Sequence, residues 1–200
     1  TTISNSEITT LYGGGNEASV NSTNVDIDNA YLDVVYGGGN ASSVNSSTYV
    51  VVDNATISGN IYGGGNEGTV SDNTELYLTN TSVGGSSYAG GNGSTAIVSG
   101  NTSITIDGYS IIGSEGCLAP HYGSVFGSGN AAATGEAARG GSIATVNITG
   151  ATIYGNVYGG ANTSVVYGRT ITNIGTDAVN NNALIEGDII ISGTVFGGGE

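Results

Sequence analysis

The stretch Val35-Tyr36-Gly37-Gly38-Gly39-Asn40 decides the fold, because it keeps returning along the chain. Leu11–Asn16 reads LYGGGN and Ile61–Asn66 reads IYGGGN. Altered copies occupy Ser87–Asn92 (SYAGGN), Val125–Asn130 (VFGSGN), Val157–Asn162 (VYGGAN) and Val195–Glu200 (VFGGGE). The ring positions are Tyr12, Tyr36, Tyr62, Tyr88, Phe126, Tyr158 and Phe196, spaced by 24, 26, 26, 38, 32 and 38 residues. Asn16, Asn40, Asn66, Asn92, Asn130 and Asn162 close six of the signatures, and Glu200 closes the last. A period of this size marks an architecture in which each unit buries its apolar face only against its neighbours.

Between signatures lies a second block with strict alternation, the period of a half-buried strand. Its apolar pairs are Val25/Ile27, Val50/Val52, Leu76/Leu78, Ile104/Ile106 and Val146/Ile148. Turn pairs such as Asp28-Asn29, Asp53-Asn54 and Asp107-Gly108 follow. A third short segment with one aliphatic (Ile57, Val83 or Ile153) then leads back to the next signature. β-branched residues dominate the apolar positions and no helical period is sustained. A propeller blade needs ~40–45 residues, more than the commonest spacing here.

The expected fold is therefore all-β: one single-stranded parallel β-solenoid spanning 1–200, with about 25 residues per coil and coils stacked at ~4.8 Å. The longer spacings predict loop insertions near 114–123, 131–139 and 166–182, which together take in Cys117, Pro120, His121, Arg139 and Arg169. Stacking sets like above like, so the asparagines predict a structural amide ladder. The recurrent glycines imply positions where a side chain would clash. With the preceding aliphatic pointing inward, alternation predicts that the ring column points outward. It would then be an exposed stripe for assembly or for glycan contact.

Sixteen acidic residues against two arginines give a net charge of −14, and there is no Lys. Phosphate recognition needs clustered cations, so nucleic-acid binding is excluded. No apolar run reaches the ~20 residues of a membrane span, which predicts no membrane insertion. Neither an initiator Met nor a signal peptide is present, so the sequence reads as a processed chain or a fragment. The lone Cys117 forms no internal disulfide. The absence of Lys and the abundance of hydroxyls and Asn-rich turns point to an extracellular or cell-surface location.

Candidate chemistry is sparse. The glycine signature lacks the Gly-Lys-Ser/Thr and following helix of a phosphate loop. Cofactors are not expected. Calcium is the one cation weighed, with Asp28, Asp53 and Asp107 near one corner as candidate ligands. His121 and Cys117 are four residues apart, but no orienting partner is legible, and the chain is read as a non-enzyme. Nine N-x-S/T sequons occur. Asn40, Asn92 and Asn162 share one ladder position, so glycosylation there would form a row.

The VYGGGN units, the alternating aliphatic pairs and the lack of Lys resemble repeat regions of very long bacterial or archaeal surface proteins. These are described as adhesin-like or β-strand-repeat proteins. That resemblance implies a stalk, fibre or adhesin with no catalytic residues to carry over. The expected role is a structural unit of an extracellular fibre or stalk, self-assembling by end-to-end β-pairing as a homopolymer or within a longer parent chain. The alternative expectation is an adhesin module binding carbohydrate through the ring column. Ice binding is set aside because the Thr positions do not repeat regularly.

Overall fold

In the computed structural model, which describes residues 1–116, 122–138, 140–175 and 188–200, the chain is a parallel β-solenoid with no helix among those residues. The alternating blocks form a seven-stranded parallel sheet, ordered Thr2–Ser4, Thr23–Asp28, Thr48–Asp53, Thr74–Thr79, Thr102–Asp107, Ser142–Ile148 and Gly168–Ile174. Its register sets Val25, Val50, Leu76, Ile104 and Val146 above one another. All five side chains are fully buried, and their polar neighbours face out.

A twelve-stranded sheet closes the coil with two further faces. Tyr31–Tyr36 spans both. In later coils it is replaced by a pair of shorter strands, as in Thr56–Ile57 with Ile61–Tyr62 and Ala151–Ile153 with Val157–Tyr158. The break falls at Gly59-Asn60 and Gly155-Asn156, where the coil turns its second corner. Leu32, Ile57, Val83, Ile112 and Ile153 point inward from one face, and Val35, Ile61, Val125 and Val157 from the other. Together with the first sheet they make one continuous core.

The first corner is built on left-handed backbone. Asn5, Asn29, Asn54 and Asn80 have φ of 48° to 50°, and Gly108 takes the same place with φ +67°. Asn tolerates this region because its short amide bonds locally, and Gly because it has no Cβ. The Asn29 amide donates to Asn5 Oδ1 (2.6 Å) and the Asn80 amide to Asp53 Oδ1 (3.5 Å), bonds that link this turn to the preceding coil at those two steps.

The insertions lie differently from expectation in two of three places. The first takes in residues 117–121, which lie outside the described residues; at its margins Gly113 (φ +84°) and Gly123 (φ +71°) approach so closely that a Cβ on Gly113 would lie 2.5 Å from the Gly123 Cα. The second begins later than 131, because Thr134 continues a ladder between Val98 and Val166. The third does not begin at 166. Gly168–Ile174 pairs residue for residue with Ser142–Ile148 as the seventh strand, and 176–182 lies outside the described residues. Spacing tells how many residues are extra but not where they leave the coil. Arg169 is consequently a strand residue beside Ile143 and not a loop residue.

Candidate functional site

The ring column is continuous. From Tyr12 to Phe196 successive rings lie 4.7 to 5.0 Å apart between centroids, with planes within 4° to 8° of parallel. Van der Waals contact between ring faces requires ~3.5–4.0 Å, so each ring is slipped across the next, the offset geometry that aromatic quadrupoles favour.

From Tyr36 to Tyr158 the column is buried, which corrects the expectation from alternation, while Phe196 at its end is 42% exposed. Tyr62 and Tyr88 are each 3% exposed, Tyr158 is 4% and Phe126 is 0%. The rings do point away from the aliphatic core, and with Tyr12 and Val34 they form a second, separate cluster. Each buried ring is covered on both faces by its neighbours in the column. After each ring the glycines run so close to the next coil that a Cβ on Gly38 or Gly64 would sit 2.8 Å from the backbone nitrogen of Gly65 or Gly91. Only a side-chain-free segment can lie there. It delivers the signature Asn to the hydroxyl end of the rings.

Those asparagines form the expected ladder. The Nδ2 of Asn40, Asn66, Asn92, Asn130 and Asn162 donates to the Oδ1 one coil back, at 2.8 to 2.9 Å. The amides also bond ring hydroxyls, Asn92 with Tyr36, Asn130 with Tyr62 and Asn162 with Tyr88. From the other side Asn60 donates to the Tyr62 hydroxyl (3.0 Å) and Asn156 to that of Tyr158 (2.9 Å). Burial pushes the phenols of Tyr36, Tyr62 and Tyr88 up to about 12, against the lowering effect of these amide bonds. The phenols are neutral across the physiological range. A row of sugars at Asn40, Asn92 and Asn162 conflicts with this arrangement, since each amide nitrogen that would carry the glycan holds a ladder bond and Asn162 is itself buried.

Two further columns escaped the sequence reading. Val20, Val44, Val70, Val98, Thr134 and Val166 bridge in parallel from coil to coil, and Val44, Val70 and Val98 are fully buried. Most of them stand four residues after the signature Asn, a spacing visible in the sequence. Thr23, Thr48, Thr74 and Thr102 open the strands of the first sheet and are buried. Their hydroxyls donate to the carbonyls of Gly37, Gly63, Ala89 and Gly127 at 2.5 to 2.6 Å, tying that sheet to the glycine turn. Thr170 repeats the bond to Gly197.

Of the calcium candidates, Asp28 and Asp53 stack directly, while Thr79 stands between Asp53 and Asp107. The Asp107 carboxylate accepts from the Gly108 N–H at 2.5 Å, as a turn acid does. Among the described residues no group of three or more His, Cys, Asp or Glu could hold a metal ion. Cys117, His121 and Arg139 lie outside the described residues. Comparison with known proteins gives no matching family model, no matching curated protein and no matching solved structure.

Proposed function

We propose that this chain is a structural unit of an extracellular fibre or cell-surface stalk, able to extend by end-to-end β-pairing. The observation that supports it best is axial: ring contacts and Asn bonds recur at every coil and run parallel to the solenoid axis, beside the continuous strand pairing. Each coil presents the next with the same backbone register and the same side-chain columns. A neighbouring coil is recognised equally well whether it belongs to the same chain or to another, and heterologous contacts of this kind propagate into open filaments. The acidic, Lys-free surface suits such a rod, because like charge discourages lateral clumping. The adhesin reading through the ring column loses most of its surface, since the rings from Tyr36 to Tyr158 are covered and Phe196 is the exposed one.

The test uses Gly197. A Cβ there meets nothing in this chain, whereas at the equivalent Gly37, Gly63, Gly127 and Gly159 it would strike the carbonyl of the following coil. Gly197→Ala is expected to leave the circular-dichroism spectrum and melting temperature unchanged while abolishing concentration-dependent growth of rods seen by light scattering and electron microscopy. A wild-type chain that stays monomeric at millimolar concentration, or a Gly197→Ala chain that assembles as well as wild type, would defeat the end-to-end mode.

A further inference from the structure

We infer that the outer face of the seven-stranded sheet carries a binding groove for neutral oligosaccharide, on a different side of the solenoid from the ring column. The groove has a volume of about 270 Å³ and crosses the strands that contain Glu75, Ser103, Thr145 and Ile171. These four residues occupy one outward-facing row, in register from coil to coil. The groove therefore runs along the axis and spans three coil steps, about 14 Å at the parallel-strand spacing.

Its donors and acceptors are set before any ligand arrives. Asn73 Oδ1 accepts the Asn101 N–H and Asn101 Oδ1 accepts the Ile143 N–H, each at 2.8 Å. Both amide planes are thereby fixed, and their NH2 groups remain as donors along one wall. The hydroxyls of Ser103 and Thr145 can each donate and accept. Glu75 supplies a carboxylate acceptor, held from behind by the Tyr77 hydroxyl at 3.0 Å. Beside Glu75 in the same row stands Tyr49, 41% exposed, whose ring meets that of Tyr77 at 5.3 Å and 45°. Ile143 and Ile171 add apolar surface at the opposite end.

A half-polar trough with fixed amide donors, hydroxyls, one carboxylate and an adjoining exposed ring matches the chemistry of a polyol: hydroxyls pair with the polar groups, and the C–H faces rest on Tyr49 and the isoleucines. Phosphate or sulfate would meet the Glu75 carboxylate, and Arg169, paired with Ile143 at the other end of the row, is not among the lining residues. An apolar ligand would strand the amides. Neutral sugar satisfies both constraints.

The experiment applies an array of neutral and acidic oligosaccharides to the full chain and measures the strongest neutral binder by calorimetry. Ser103→Phe fills the groove from an outward-facing position, and Glu75→Gln removes the carboxylate charge while leaving the shape. Both are expected to keep the wild-type dichroism spectrum. Binding should fall at least tenfold in the first and measurably in the second, and stay unchanged in Tyr62→Phe, which alters the ring column alone. Should Ser103→Phe fail to fold, Glu75→Gln decides. No neutral binder on the folded protein, binding confined to acidic glycans, or full affinity in the variants would overturn the assignment.

Discussion

Ser87 stands in a column of aliphatics, with Ile61 on one side of it in register and Val125 on the other. It is 0% exposed, and its hydroxyl oxygen has no hydrogen-bond partner. A buried hydroxyl left unpaired costs about 1–3 kcal/mol. Ser87→Val removes that penalty and adds about one buried carbon, worth about 0.8 kcal/mol. Val35, Val125 and Val157 show that this backbone position accepts valine, so the overpacking offset is small. The net expectation is a gain of about 2 kcal/mol, which for a chain of this length raises the melting temperature by about 4–8 °C. Thermal unfolding followed by circular dichroism reads the shift. Ser87→Ala serves as the control, since it deletes the hydroxyl without adding volume and should be neutral or mildly stabilising. A loss of more than about 1 kcal/mol in Ser87→Ala, comparable to a broken hydrogen bond, would show instead that the hydroxyl has a partner.

Asn66→Ala removes a ladder donor to Asn40 and the acceptor for Asn92, and should cost about 2–4 kcal/mol in chemical denaturation; Asn66→Asp, which sets a carboxylate against the Asn40 carbonyl, should cost more. Gly64→Ala forces a Cβ to 2.8 Å from the Gly91 nitrogen, a backbone contact that has nowhere to move, so about 3 kcal/mol should be lost and protease resistance with it. Alkaline unfolding should be steep. Phenols pushed up to about 12 in the fold, from an ordinary value near 10, contribute stability that is whole below pH 10 and is lost as pH rises from 10 to 12. Tyr62 and Tyr88 should each take away about 1.4 kcal/mol per pH unit in that window. Tyr62→Phe removes one share and should move the alkaline midpoint upward in a pH titration of the dichroism signal.

Much of this fold was legible because a solenoid stacks like upon like. The recurrence of ring, glycine and Asn at fixed offsets predicted the columns, and the paired aliphatics predicted the first sheet. The ring orientation was not legible. Alternation says which side of the strand Tyr62 leaves from, but it does not say that Tyr36 and Tyr88 will cover its faces or that Asn60 will meet its hydroxyl. Thr23, Thr48, Thr74 and Thr102 were missed for a related reason. A hydroxyl at the start of a strand reads as surface, unless the carbonyl that satisfies it across the interior is known. Val44 and Val70 each stand four residues after the signature Asn, an offset that could have revealed them, whereas Val98 stands six after Asn92 and breaks the spacing. The groove around Ser103 left no signal, since its residues come from different coils and no two of the row are alike.

In the proposed role the columns make this chain a length of rod that carries structure along its axis. Electron cryomicroscopy of the native material tests it most directly. Slender, unbranched rods one solenoid wide are expected, with an axial repeat of ~4.8 Å and density for stacked rings buried inside the wall. Compact isolated particles with no axial continuation, or rods whose ring column lies bare on the surface, would contradict it.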